Sequence, residues 1–452
     1  MPSHKPNILI ISTHDSGCHF GCYGIPTVHT PAIDGLAAEG VRFTNMFATS
    51  SICSPSRGSL LTGRYPQRNG LIGLAGSGWD CELNDPQQHL SHILRGAGYQ
   101  TRLFGVQHET ADLDTLGFDE CRPNAIGRAL PQEEHLPPDP RDPYEIPLHV
   151  SAIQSAPQTA QDVAAFFDGY EQDGQSFYAQ VGFFETHTPF LWDGCDPDDE
   201  KGIHVPDYAR LEDEEEARKQ EQHIAGLQGS LRRVDEAVAT ILNALRRNNF
   251  EENTLVLFVT DHGPELPGAK WTMTDAGLRI TFILRWPGGG VGGGQVCDAL
   301  RSNVDFLPTL AEFVDLQLPF DCDGTSFAAD LRSGTIADKE AVFGLNLYGQ
   351  NYAVRTPRHK LVHNFAERVF SRDLPRTGSE HALIELFDLQ ADPLERKNLV
   401  EDPGCGDVVQ DLEARFWGWM EGARDPMLSE SPPGEAALRV QEAFHAWRQR
   451  EA

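Results

Sequence analysis

Ser51-Ile52-Cys53-Ser54-Pro55-Ser56-Arg57-Gly58-Ser59-Leu60-Leu61-Thr62-Gly63-Arg64 is the stretch around which the other segments of this chain arrange themselves. The apolar run from Val41 to Phe47 leads into it as a strand and breaks at Ser-Ile-Cys-Ser-Pro. Beyond Pro55 the chain can turn into a helix, with Ser56 to Thr62 as its first turns. Residue 53 then stands at a helix N-terminus, where free N–H groups and the helix dipole favour an anion. Arg57 lies four residues on, close enough to face residue 53 and neutralise an oxyanion formed there.

Working outward, four strand-like runs, three of them apolar, each lead into a cluster of polar residues. Asn7 to Ser12 delivers Thr13-His14-Asp15, and Gln100 to Gly105 delivers Val106-Gln107-His108-Glu109. Phe177 to Phe184 runs into Glu185-Thr186-His187-Thr188-Pro189, and Thr254 to Thr260 into Asp261-His262-Gly263. Continuous apolar runs of this length mark strands buried on both faces of a parallel sheet. In such sheets the chemistry collects at the carboxyl ends of the strands. Helices are predicted over Thr30–Gly40, N-capped by its threonine and closed by its glycine, over Gln88–Ala97 and over Thr159–Asp168. The acidic run 212–216 opens a long helix whose apolar stripe is Leu227, Leu231, Val234, Val238, Ile241 and Leu245; it reads as a solvated first turn without a function. Pro131 to Pro147 reads as a surface excursion, and the glycine run 288–294 as a turn.

After about residue 335 the character changes. Ala341–Leu347, Asn351–Arg355, His359–Asn364 and Glu385–Leu389 read as short strands, and a helix follows over 405–422. The predicted division is therefore a large domain over 1–338 and a smaller α+β domain over 339–452. The formal charge of −30, from 37 basic and 67 acidic residues, disfavours nucleic acid and anionic membranes as partners. Nine scattered cysteines read as reduced thiols. No apolar run reaches 18 residues and no leader pattern precedes Asn7, so the expected location is the cytoplasm.

The pattern C-x-P-S-R-x-x-x-L-T-G at Cys53 resembles the type I sulfatases of the alkaline phosphatase superfamily. So do the T-P-x-x-D-x-L-A-x-x-G-x-x-F segment from Thr30 and the E-L-F-D-L and D-P-L-E-R-K-N-L segments over 385–399. Within that family the core motif, the L-V-H-N segment at 361–364 and the W-x-W at Trp417 are most similar to the heparan N-sulfatase (sulfamidase)-like group. The resemblance implies an α/β fold: a large mixed, mostly parallel sheet sandwiched by helices, with a smaller C-terminal antiparallel sheet plus helix.

It also implies that a formylglycine-generating enzyme oxidises Cys53 to formylglycine. Hydrated, that aldehyde is a geminal diol; one hydroxyl attacks sulfur or phosphorus and the other later expels the inorganic anion. One divalent cation is implied at His14, Asp15, Asp261 and His262. Calcium is the family's habit, while the two imidazoles would suit manganese or zinc. His14 stands where the family usually has a second aspartate, and it can instead be a hydrogen-bond donor beside the ligands. His108 is implied to handle the proton of the covalent intermediate, His187 to be the general acid, and Lys270 to contact the transferred anion. The family's lysine at the end of the 100–105 strand is replaced by Val106, leaving Gln107 as a candidate neutral substitute. The implied substrate is a small sulfated molecule or sulfated sugar. A phosphonate or phosphate diester hydrolase, and a non-catalytic homologue with unmatured Cys53, remain open.

Overall fold

The structure is a computed structural model that describes residues 5–76, 81–123, 155–171, 174–188, 190, 202–346, 349–365, 383–431 and 434–451. The segment Pro131–Pro147 lies outside the described residues. Strands are β1 (Asn7–Thr13), β2 (Val41–Phe43), β3 (Met46–Phe47), β4 (Gln100–Gly105), β5 (Glu120–Pro123), β6 (Phe177–Phe183) and β7 (Thr254–Thr260). They continue with β8 (Phe282–Arg285), β9 (Gln295–Cys297), β10 (Arg301–Ser302), β11 (Val342–Asn346), β12 (Asn351–Arg355), β13 (His359–Asn364) and β14 (Ile384–Asp388).

Among the described residues the main sheet has the order β5-β4-β6-β1-β7-β8-β2-β9. β1 sits near its middle, parallel to β6 on one side and β7 on the other. β8 runs antiparallel to both β7 and β2, so the sheet is mixed and mostly parallel, as the resemblance implies. Alternation along β1 divides the core into two layers. Ile8 and Ile10 pack with Leu60 and Leu61 of the helix Cys53–Thr62. Leu9 and Ile11 pack with Leu231, Val234 and Val238 of the helix Glu214–Arg247. Each such side chain, fully buried, contributes about 1.5–3 kcal/mol.

Two local expectations need correction. Val41 to Phe47 is not one strand but two, β2 and β3, which enter different sheets. The helix Pro31–Glu39 is not capped by the Thr30 side chain, and Gly40 closes it in an extended rather than left-handed conformation. The first-turn N–H groups of Ala32 and Ile33 instead donate to Asp235 of the long helix, at 3.1 and 2.8 Å. A carboxylate 200 residues away in sequence outcompetes the local hydroxyl, which bonds Asp34 at 3.2 Å.

The C-terminal part is the antiparallel sheet β11-β12-β13-β14 with the helix Gly406–Gly422 against it. A further helix, Glu435–Glu451, was not anticipated; its Phe444 and Trp447 lie against Trp417. Two of the ties between this part and the rest of the chain flank the Cys53 helix and the loop after β7. The Leu345 N–H of β11 donates to the Thr49 carbonyl at 2.9 Å, just ahead of the Cys53 helix. Fully buried Lys360 of β13 meets Asp275 at 2.5 Å and Glu395 at 2.9 Å, and Glu395 accepts from the Asp275 N–H at 2.6 Å. The D-P-L-E segment thus anchors the loop that carries Lys270. Among the described residues no helix is long and apolar enough to cross a membrane.

Candidate active site

Cys53 is the first residue of the helix Cys53–Thr62, with Ile52 extended before it and no side chain capping the helix start. Pro55 has no N–H and the Ser56 N–H is on the Ile52 carbonyl at 3.3 Å, so the Cys53 and Ser54 N–H groups are the ones left for a ligand. Gly63 ends the helix at φ 64°, its N–H on the Ser59 carbonyl at 2.9 Å; only glycine adopts this conformation without steric cost.

Asp15 follows β1 at φ 43°, a left-handed turn that aspartate tolerates better than most residues. Asp261 follows the adjacent β7, so neighbouring parallel strands deliver the two carboxylates side by side. The Asp15 N–H donates to Asp261 Oδ1 at 3.0 Å. His262 Nε2 lies 3.2 Å from Asp15 Oδ1 and 3.3 Å from Cys53 Sγ. Its Nδ1 sits 2.8 Å from the Gly263 carbonyl, so Nδ1 is a donor and Nε2 is the nitrogen turned toward the site. His14 Nδ1 is 3.2 Å from Asp261 Oδ2. All four residues, and Cys53, are buried.

The cations arrange themselves on these carboxylates. Arg57 donates through Nε and a terminal nitrogen to Asp261 Oδ2 at 3.2 and 3.1 Å, and to Ser12 and the Thr13 carbonyl. Lys270 Nζ meets Asp15 Oδ2 at 2.5 Å and lies 3.7 Å from Glu265. Burial alone would raise Asp261, but His262, Arg57 and His14 outweigh it and hold the carboxyl well below its usual range. Burial alone would discharge Lys270; Asp15 and Glu265 outweigh it and keep the ammonium charged. Burial, helped by Arg57, pushes His14 down to about 4, so it is a neutral imidazole. Burial also pushes the Cys53 thiol up, with Asp261 and Asp15 adding to the effect.

His108 and His187 stand at the opening of this pocket, both partly exposed. Their rings lie 6.2 and 5.8 Å from that of His14. His187 stacks on Phe184 at 4.8 Å. Its Nδ1 faces the Thr188 carbonyl at 2.6 Å and its Nε2 points toward Asp15 at 3.8 Å. Burial pushes His108 well down, and His14 and Arg57 add to that. His108 reaches the site because β4 ends at Gly105 with φ 72°. A Cβ there would fall 2.2 Å from the Gly182 carbonyl oxygen.

Val106 is buried and apolar, as its side chain dictates. Gln107 does not replace the missing lysine. Its amide nitrogen donates to the Thr110 carbonyl at 2.8 Å, and its oxygen accepts from the N–H groups of Glu109 and Thr110. Three residues escaped the sequence reading. Glu109 is fully buried and lines a cavity of about 20 Å³ with Arg57, Gln180 and Asp261; burial pushes it up to about 7, against Arg57. Its adjacency to His108 was an available signal. Glu265 hydrogen-bonds Thr188 and approaches Lys270; nothing marked it beyond its closeness to Asp261. Trp271 adjoins Lys270 at φ 72°, which no sequence pattern reveals.

The family model for sulfatases matches residues 6–316, and the model for the C-terminal region of N-sulphoglucosamine sulphohydrolase matches residues 269–421. The chain belongs to the sulfatase family. These are hydrolases of sulfuric esters, and the C-terminal match agrees with the heparan N-sulfatase-like resemblance. An ulvan-active sulfatase of Formosa agariphila is 28% identical over 458 residues, covering 96% of this chain and 83% of that one. A structure solved in complex with its substrate D-glucosamine-2-N,6-O-disulfate superposes with a TM-score of 0.68 at 18% identity, covering 93% and 98%. The phosphonate monoester hydrolase of Agrobacterium radiobacter gives 0.69 at 20% identity, covering 93% and 96%. Both structural likenesses speak to the fold.

The sulfatase site offers the donor set a divalent cation needs. Ligand atoms of His14, Asp15, Cys53 and Asp261 all lie within 4.8 Å of one another. His14 is buried with neither ring nitrogen in a well-directed hydrogen bond. Two ionised carboxylates and a neutral imidazole fit such an ion. This grouping includes Cys53 rather than His262, although His262 Nε2 is within 3.8 Å of both carboxylates.

Proposed function

We propose that this sulfatase hydrolyses a sulfate ester or an N-sulfate of a sugar, using a formylglycine made from Cys53 and one divalent cation. The observation that carries the reading is the convergence of an uncapped helix start at Cys53 with Asp15, Asp261 and His262 at two adjacent strand ends. The cation would be held by Asp15, Asp261 and His262 with His14 completing the set, and it supplies Lewis-acid polarisation of the transferred group. Calcium is the family's habit; His14 and His262 leave room for manganese or zinc.

The chain's own residues divide the remaining work. Arg57 holds Asp261 in place and brings positive charge beside residue 53. Lys270 is close enough to leave Asp15 for an incoming anion, and the buried setting makes its charge worth more than in water. His187, aimed by its bond to the Thr188 carbonyl, presents Nε2 at the pocket opening, where a protonated ring can give a proton to the leaving oxygen or nitrogen. His108, held neutral, can accept one. No disulfide joins the eight described cysteines to one another, in keeping with the cytoplasm as the location in this reading. The sulfatase then depends on a formylglycine-generating partner there.

Mass spectrometry of the peptide carrying residue 53 tests the reading, together with turnover of an aryl sulfate by wild type and Cys53→Ala. The aldehyde should replace the thiol, and Cys53→Ala should lose turnover with its melting temperature kept. Full activity with an intact thiol overturns the proposal, and an inactive chain with an intact thiol marks a homologue that binds without catalysis. A second reading, hydrolysis of phosphonate or phosphate diesters, rests on Val106. A pocket one cation short still suits any monoanion, and a rate comparison on aryl sulfate and aryl phosphonate separates the two.

A further inference from the structure

Trp271 has a backbone that its side chain does not explain. Its φ is 72°, in the left-handed region that bulky residues rarely enter. Such positions persist where the surroundings over-determine them, and they gather at ligand sites. Here the surroundings do so from both sides. The Trp271 N–H donates to the Ser51 carbonyl at 3.2 Å, two residues ahead of Cys53. The Trp271 carbonyl accepts from the Asn346 side chain at the end of β11, whose neighbour Leu345 bonds the Thr49 carbonyl. The residue is thus pinned between the segment leading to the nucleophile position and the C-terminal sheet.

The side chain stands beside the residue proposed to contact the anion. Its ring centroid is 5.8 Å from Lys270 Nζ, and that ammonium meets Asp15 at 2.5 Å. Asp15, Cys53, Asp261, His262 and Lys270 are buried, whereas His108, His187, Glu265 and Trp271 are partly exposed. The exposed set therefore rims the opening through which the group attached to sulfate must project. Of these four, Trp271 alone offers a broad apolar face. The electron-rich face of an indole attracts the polarised C–H groups on the flat side of a pyranose, and aromatic walls are a common means of orienting small ligands.

We propose that Trp271 is a specificity-determining residue, a platform on which the sugar ring of a sulfated pyranose stacks while its sulfate enters the pocket. This rests on the sulfate-hydrolase reading above and adds the residue that holds the sugar. A glycine would relieve the backbone at this position, so Trp271→Gly removes the platform without disturbing the loop.

The test is calorimetric binding to the full chain carrying Cys53→Ala, with and without Trp271→Gly, using glucose 6-sulfate and methyl sulfate as probes of equal charge. The parent should bind glucose 6-sulfate the more tightly. Trp271→Gly should weaken glucose 6-sulfate on the order of tenfold, the loss typical of truncating an aromatic anchor, and leave methyl sulfate unchanged. Trp271→Phe should recover part of the sugar affinity, and Trp271→Gly should melt at or above the temperature of Trp271→Ala. Equal sugar binding with and without the indole overturns the platform while leaving the sulfate pocket standing. A parent that binds neither probe overturns the sulfate reading and the platform with it.

Discussion

Glu109→Gln replaces a carboxyl by an amide of the same shape in the cavity beside Arg57. Burial raises Glu109 from its ordinary 4.5 to about 7, with Arg57 opposing. Below about pH 4.5 the carboxyl is neutral in both folded and unfolded chains and costs nothing. Between about 4.5 and 7 the unfolded chain releases the proton and the folded one keeps it, so stability falls as pH rises; above about 7 the loss is complete. At about 1.4 kcal/mol per pH unit, the full loss is roughly 3 kcal/mol. An amide does not titrate, so the variant lacks this loss. With an unfolding entropy of about 2 cal/mol/K per residue, a chain of 452 residues converts that into about 3 °C. The assay is the melting temperature of Glu109→Gln minus that of wild type, followed from pH 5.5 to 8.5. The difference should grow in favour of the variant by about 2 °C up to pH 7 and then level off. A difference independent of pH would show that Glu109 is not held protonated. A difference that shrinks as pH rises would refute the reasoning outright, because Arg57 would then be binding an ionised carboxylate.

Chelation followed by dialysis should lower the stability, and divalent cation should restore it, by about 2.7 kcal/mol at a hundredfold excess over Kd; Asp261→Asn should remove that dependence, as differential scanning calorimetry can read. Lys270→Ala should reduce kcat on an aryl sulfate by about 10²-fold or more, the loss expected for a preorganised charge, and a near-wild-type rate would show that its place on Asp15 is only structural. Lys360→Ala leaves Glu395 without its buried cation, while Asp275 keeps Arg355 at 3.0 Å, and should cost about 3 kcal/mol in denaturant unfolding. Phosphate monoesters should be the slowest substrates in a side-by-side series, since their dianions need the counter-charge that Val106 does not provide.

The strand ends and the Cys53 helix were legible because each is written in a contiguous run. Asn7–Thr13, Phe177–Phe183 and Thr254–Thr260 are mostly apolar and lead into polar side chains, so local pattern alone assigns them to a buried parallel sheet. The same pattern supplied the candidates His14, Asp15, His108, His187, Asp261 and His262, each on a strand end, and the motif supplied Cys53 and Arg57. Tertiary structure decided what has no local signature. Asp235 caps a helix 200 residues earlier, because any carboxylate that packing brings to a helix start can satisfy it. Gln107 turned inward because its amide satisfies the N–H groups of its own loop. Glu109 and Glu265 matter through the cations beside them, and Trp271 through a backbone angle held by Ser51 and Asn346. Periodicity records which side chains must leave water; it does not record which distant groups meet once they have left, and charge balance in a buried site depends on those meetings.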